Sequence, residues 1–333
     1  MTNFFYSTLV KTPFRECKAL CVTDSSFFVG GDFSSPDILE FSLTSSNPLQ
    51  FTHIGTFSAH TGFITKLIHV PQRFLLSSSG DRTIIQWDLT TKNPLLVFTG
   101  HKNVVSSISF DGTYLYSCSW DNEVRKWDVT TGSCLAVISG HSLSVLDVLA
   151  LGKDFCLSCS ADKSVKLWNN STPLAEYTGH PDVVRKIRPT PESGVFVSVG
   201  NDGALRFWNM ETSSTVDSLY IHEHFVYALE CVAYHCDSPV QHGSRNVQEL
   251  VVSGGEDQLV KVTWNRKERQ TLSIPQVVYD LAVTRDGLLL VATADGNVYV
   301  FTLKEELRAN PTMTEAYDEA VRASFAHRAQ HSG

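Results

Sequence analysis

Apolar residues along most of the chain alternate with polar ones in stretches of four to eight, broken by clusters of Asp, Gly, Ser and Thr. A period of two between turn-forming residues predicts short antiparallel strands joined by tight turns. The stretches themselves recur. His60, His101, His141, His180 and His222 stand 41, 40, 39 and 42 residues apart, and four residues after each comes Ile64, Val105, Val145, Val184 or Val226. After each His there follow an alternating apolar run, a Ser, an Asp four residues beyond the Ser, and then a Trp; residues 100–128, GHKNVVSSISFDGTYLYSCSWDNEVRKWD, show the unit whole. A period of this length makes one supersecondary unit per repeat, each burying its apolar face against the next.

Gly-His, Ser-x-x-x-Asp and Trp-Asp at a period near 40 resemble the WD40 repeat, and the resemblance implies an all-β propeller with one four-stranded blade per repeat. On that reading the recurring polar sets are His60/Ser77/Asp81/Trp87, His101/Ser117/Asp121/Trp127, His141/Ser158/Asp162/Trp168 and His180/Ser198/Asp202/Trp208. A fifth set, His222/Ser253/Asp257/Trp264, has one extra residue before its Trp. Each contains the residue types of a hydrolase triad, but a catalytic constellation is built once per site, whereas a structural network is built once per blade. No enzyme and no cofactor are therefore expected.

Two further units lack the network. The last, IPQVVYDLAVTRDGLLLVATADGNVYVFT, keeps Asp295 but has Ile274, Val291 and Phe301 at the His, Ser and Trp positions; the first has Pro13 and Phe41 at the His and Trp positions. In the last unit, apolar packing is expected to replace the network, leaving Asp295 with little to hold. Seven units need 28 strands, and the pattern turns charged after Phe301, so the outer strand of the last blade must come from elsewhere. The unassigned alternating segment Phe4 to Val10 can supply it, closing the ring with no edge unpaired. The expected organisation is a seven-bladed propeller over residues 3–303 and a tail over 304–333.

In the tail, Thr312-x-x-Glu315 reads as a capping box after Pro311, and Tyr317, Val321 and Phe325 form a narrow apolar stripe on one helix, expected to dock on the propeller. An insertion from Tyr234 to Gln248 contains His235, Cys236, Asp237 and His242 at a spacing that matches no zinc pattern, and is read as a loop. Cys156 and Cys159 fall on one predicted strand, where residues three apart face opposite sides, so the CxxC reads as buried structure and not as a redox pair.

Composition narrows the partners. Lys and Arg total 27 against 35 Asp and Glu, for a net charge of -8, so the basic excess that nucleic-acid binding needs is missing. No stretch is long and apolar enough for a membrane span, and the start carries no secretory pattern. Eight cysteines in 333 residues are too dilute for a disulfide scaffold and point to a reducing compartment, the cytoplasm, with the nucleus also open to the protein. Function must then come from the exposed positions: the starts of the inner strands and the residues just before the network Asp, all on the face that carries the His turns. These include Lys18, Phe63, Trp120, Leu146, Arg185, Phe225, Tyr227 and Tyr279. Trp120 is a turn residue with no strand-packing reason to be Trp, and Trp and Tyr anchor interfaces out of proportion to their number. Arg185 and Lys18 are too few cations for a phosphopeptide reader, which needs several converging Arg.

The wording of several units, SCSADKSVKLW, GHPDVVRKIRP followed by SVGNDGALRFW, and the His-less last unit opening Ile-Pro, resembles the propeller of the phospholipase-A-activating-protein family. That resemblance implies a ubiquitin-binding cofactor of the hexameric AAA ATPase of ubiquitin-dependent degradation, with ubiquitin's apolar patch on this same face. Where the family carries an Arg after the first unit's turn this chain has Lys18, and where a Trp is common in the fourth unit it has Leu146. The expected partner is ubiquitin or a ubiquitinated protein. The alternative is a substrate receptor of an SCF-type ubiquitin ligase, or a general scaffold that grips another peptide on the same face.

Overall fold

The computed structural model describes residues 3–23, 25–44, 49–235 and 247–331. Its 28 strands form seven antiparallel sheets of four. Six sheets are made from consecutive strands, and they are blades 1 to 6, over residues 19–57, 64–98, 105–139, 145–178, 184–220 and 226–273. Blade 7 takes three strands from residues 278–302 and its outer strand from Phe5–Lys11, which runs antiparallel to Asn297–Thr302 with Phe5 opposite Thr302 and Lys11 opposite Asn297. The ring is closed by the N-terminal strand.

The sequence pattern explains how each blade packs. Second strands such as Phe74–Ser79 and Val195–Gly200 are buried along their whole length, because both sheet faces are covered by neighbouring blades. Outer strands such as Pro94–Phe98 keep every second residue at the rim in solvent. Inner strands of adjoining blades pack on one another all round the ring, blade 7 against blade 1 included. The core is thus a circle of seven clusters, each shared by two blades and most of them centred on a fully buried Trp or Phe. Cys156 and Cys159 fall into different clusters of that circle, both buried with free thiols pushed well up by burial.

Four polar tetrads are complete, one in each of blades 2 to 5. The His Nδ1 atoms of His60, His101, His141 and His180 donate to Asp81, Asp121, Asp162 and Asp202 respectively. The hydroxyls of Ser77, Ser117, Ser158 and Ser198 lie 2.7–2.8 Å from the Nε2 atoms of the same four histidines. Each Ser oxygen also accepts an indole N–H: Trp87 donates to Ser77, Trp127 to Ser117, Trp168 to Ser158 and Trp208 to Ser198. In blade 6 His222 holds Asp257 and Ser253 in the same way, but the fourth place is not Trp264. Strand pairing sets Thr263 opposite Val251, the position that Trp87 takes opposite Leu75 in blade 2, so Thr263 occupies the slot and bonds the Val251 carbonyl. The extra residue moves Trp264 to the opposite side of its strand, where it packs among the residues between blades 6 and 7.

The last blade also differs from expectation. Asp295 keeps a network of its own, accepting bonds from the Thr293 hydroxyl at 2.5 Å, the Asn297 amide and side chain at 3.3 and 2.8 Å, and the Tyr299 hydroxyl at 3.2 Å. In blade 1 Asp32 plays the matching part, accepting the Glu16 amide and the Ser34 amide and hydroxyl. The residue after the network Asp is left-handed in six blades, and in two of them it is Gly because the next blade's backbone is close. A Cβ on Gly203 would meet the His222 carbonyl oxygen at 2.0 Å, and one on Gly296 the Phe14 carbonyl oxygen at 1.9 Å.

The C-terminal helix spans Pro311–His331. Its cap is Asn310 and not the Thr312 box: Asn310 Oδ1 accepts the Met313 amide at 2.9 Å and Pro311 is the first helical residue, where a missing N–H costs nothing. The stripe faces the propeller, with Tyr317 stacked on Tyr6 at 4.3 Å and donating to the Ser273 carbonyl. No helix among the described residues is long and apolar enough to cross a membrane. The insertion with His235, Cys236, Asp237 and His242 lies largely outside the described residues.

Candidate partner-binding face

On the His-turn face the backbone itself sets the exposed positions. In blades 2 to 7 the amide just before the network Asp donates to the carbonyl of the residue before the inner strand: Gly80 to Phe63, Trp120 to Val104, Ala161 to Ser144, Asn201 to Val183, Glu256 to Phe225 and Ala294 to Val277. One residue into each inner strand the pairing slips, between Ile64 and Lys66, Val105 and Ser107, Val145 and Asp147, Val184 and Lys186, Val226 and Ala228, and Val278 and Asp280. A β-bulge leaves its extra residue out of the ladder and re-aims that side chain. The six bulged residues are Thr65, Ser106, Leu146, Arg185, Tyr227 and Tyr279. Lys18, just ahead of blade 1's inner strand, takes the corresponding place.

Together these residues frame a cavity of about 170 Å³ lined from all seven blades, and therefore on the axis of the ring. Of the eight positions singled out in the sequence, Lys18, Phe63, Trp120, Leu146, Arg185, Tyr227 and Tyr279 line it. Phe225 stands beside it, edge-on to Tyr227 at 6.5 Å and 37% exposed. Tyr227 and Tyr279 lie 6.0 Å apart, and Trp120 is 43% exposed at the rim. Two cations lie against aromatic faces: Lys18 Nζ is 3.6 Å from the Tyr279 ring centre and the Arg185 guanidinium 4.8 Å from that of Tyr227, where the ring quadrupole favours positive charge. Lys18 is also paired with Glu16 at 2.6 Å, and Glu16 accepts the Tyr279 hydroxyl at 3.1 Å. Burial, then the neighbouring Glu16, pushes Tyr279 up to about 12, so its hydroxyl stays a donor.

The sequence reading missed Phe33. It is the most exposed large apolar residue among those described, at 75%, and its ring lies 4.4 Å from that of Phe63. The signal was available: between the last paired residues of the second and third strands, unit one has seven residues, 31–37, against five, 79–83, in unit two, and Phe33 sits in that longer turn.

The tetrads offer no second site. Ser77, Ser117, Ser158 and Ser198 are fully buried and already hold the indoles of Trp87, Trp127, Trp168 and Trp208, so no substrate carbonyl can approach their hydroxyls. None of these eight side chains lines the axial cavity; they lie inside the blades and serve the face only by fixing the turns that carry it. His101, Asp121 and Glu123 bring ligand atoms within 4.8 Å of one another, but both nitrogens of His101 are used by Asp121 and Ser117, and Glu123 is paired with Arg125. Burial pushes the Asp121 carboxyl up, yet the bonds from His101 and from the Lys102 and Glu123 amides outweigh it and hold the group down to about 2. Burial draws His180 below its ordinary value, outweighing the Asp202 carboxylate that pulls it the other way, and the Arg206 guanidinium also bonds Asp202.

Known proteins give the same architecture. The family described as WD domain, G-beta repeat matches residues 51–88, 92–128, 132–169 and 171–209, which are parts of blades 1 to 5. The crystal structure of the WD40 β-propeller domain of Doa1 superposes with a TM-score of 0.80 at 24% identity, covering 93% of this chain and 100% of that one. The chain carries WD40 repeats and folds as a seven-bladed propeller. Relatives of this WD40 propeller in sequence include the Ubiquitin fusion degradation protein 3 homolog of Caenorhabditis elegans, 26% identical over 51% of this chain and 19% of the relative. The guanine nucleotide-binding protein subunit beta of Zea mays is 31% identical over 46% of this chain and 33% of its own length. The Nuclear distribution protein PAC1 of Arthroderma otae is 26% identical over 45% and 33% respectively. The propeller thus spans from a fifth to a third of the length of these relatives.

Proposed function

We propose that this propeller is a protein-interaction module that binds ubiquitin, or a ubiquitinated protein, on its His-turn face, and serves ubiquitin-dependent degradation in the cytoplasm or nucleus without catalysis of its own. The observation that carries the reading is the axial cavity's rim, where Phe63, Trp120, Leu146, Tyr227 and Tyr279 converge from five blades while Lys18 is neutralised by Glu16. Such a rim suits a folded partner with a small apolar patch, because aromatic anchors gain from desolvation and exposed charges contribute little. Likeness to a protein named for ubiquitin fusion degradation supports the choice of ubiquitin among folded partners.

The test is titration of isotope-labelled ubiquitin with the full chain, following the ubiquitin resonances. Shifts confined to its apolar patch are expected; no binding at millimolar concentration would remove the reading. A phosphopeptide that binds the same face more tightly would favour the ligase-receptor alternative.

A further inference from the structure

Two cations at the axial cavity are left without a bonded carboxylate by the residues around them. Arg185 is the bulged residue of blade 5 and Lys186 follows it, and both line the cavity. Arg185 Nε donates to a neutral acceptor, Asn201 Oδ1 at 2.5 Å, and the rest of the guanidinium lies between Tyr227 and Phe225. Burial draws its pKa down; Asp182 and Glu256 act on it only through space, and among the described residues no carboxylate is ion-paired with it. Lys186 has no ion pair among the described residues either. Asp147 acts on it through space, but the oxygens of Asp147 are taken by the Ser107 hydroxyl at 2.6 Å, the Ile187 amide at 3.0 Å and Arg188 at 2.9 Å. The other cations on the inner strands are matched, Lys66 by Asp280 at 3.8 Å and Arg188 by Asp147 and Glu230.

An uncompensated charge in a half-buried, aromatic-walled cavity costs free energy that an incoming anion recovers. We propose that the cavity receives one carboxylate, carried on an acidic side chain of the protein bound over the face and gripped by Arg185 and Lys186. The space, about 170 Å³, holds a few water molecules at ~30 Å³ each, which is the scale of one side chain. Val104, Leu146 and Tyr227 line its walls and match the methylenes of a glutamate. A phosphate dianion would need more donors than these two cations supply. The proposal rests on the partner-face reading only for the source of the carboxylate.

Calorimetric titration of the full chain with N-acetylglutamate α-methylamide tests it, with the Trp120 indole N–H resonance reporting location. The glutamate probe should bind in the millimolar range, shift that resonance, weaken with added salt, and exceed the glutamine analogue by about tenfold. Arg185→Gln and Lys186→Met should each weaken it by about tenfold, the buried tetrad indole signals showing that the variants are folded. Equal binding of the glutamine analogue, or two folded variants that bind the probe as the parent does, would overturn the proposal. Tighter binding of inorganic phosphate would overturn the choice of anion, and tighter binding of N-acetylglycine would move the source from a side chain to a chain end. If the glutamate probe binds and ubiquitin does not, the partner is wrong and the cavity assignment stands.

Discussion

Trp120 combines exposure with a fixed backbone, since its amide is tied to the Val104 carbonyl at 3.0 Å while its ring stands at the cavity rim. A side chain ordered before binding loses little entropy on binding, so Trp120→Ala should cost ~2 kcal/mol or more in ubiquitin affinity, roughly thirtyfold, in a titration of the variant. Phe33 rides on Phe63 and extends the same apolar surface over blades 1 and 2; Phe33→Ala should weaken the partner by about 1 kcal/mol without lowering the melting temperature. Individual letters are legible in the sequence where the repeat holds and misleading where it slips. Ser77 with Trp87, Ser158 with Trp168 and Ser198 with Trp208 stand ten residues apart and bond as the pattern requires. Trp264 carries the expected letter one residue late, and because a strand alternates sides a one-residue offset changes the side chain's face, which hands the slot to Thr263. Asp295 reads as bereft because its partners in the sequence pattern are gone, yet Thr293, Asn297 and Tyr299 supply others from within four residues. Asp121→Ala and Asp295→Ala are therefore both expected to cost ~1–3 kcal/mol in denaturant unfolding, in place of a lesser cost at Asp295.

Among the elements, the strands are readable because alternation and turn residues encode them locally, and the closure by residues 5–11 is readable by elimination. The bulges are not, although they aim the side chains that make the face: a bulge is a property of pairing between two strands, and neither strand's sequence alone states it. The pattern sets the helix start two residues late because Thr312-x-x-Glu315 imitates a cap, whereas Asn310 before Pro311 is the one that bonds. Asn310→Ala should remove about 1 kcal/mol of helix stability, seen as faster hydrogen exchange in the first turn with the propeller strands unaffected. The helix and the segment before it also clasp the closing strand: Ala309 donates to the Tyr6 carbonyl at 3.0 Å, Ser7 to that of Leu307 at 2.7 Å, and Tyr317 stacks on Tyr6. Deleting residues 1–10 should thus expose an edge of blade 7 and undock the helix together, giving aggregation or a large fall in melting temperature. A truncated chain that melts like the parent would refute this closure.

For the molecule as a whole, the network carboxylates set the response to acid. Asp81, Asp121, Asp162, Asp202 and Asp257 are all held below their ordinary range by donors that outweigh burial. A carboxylate depressed in the folded state stabilises it fully above its unfolded pKa, ~3.9, and loses that contribution as pH falls toward the folded value. Melting temperature should hold from neutral pH to about 5 and then drop steeply between about 4 and 2, where Asp121 titrates. A fall already complete by pH 5 would contradict this assignment to the carboxylates. The joint in blade 7 has a consequence of another kind, in the order of events during synthesis. Lys11 pairs with Asn297 and Phe5 with Thr302, so the first of the propeller's strands to be synthesised waits for the last. Closing so long a span costs only about 2 kcal/mol more than closing one of blade length, because the entropy grows with the logarithm of the span. The greater hazard is elapsed time. At ~5–20 residues per second an unpaired, alternating apolar strand stays open to rival partners for many seconds, so added chaperone is expected to raise the yield of folded protein even where final stability is unchanged.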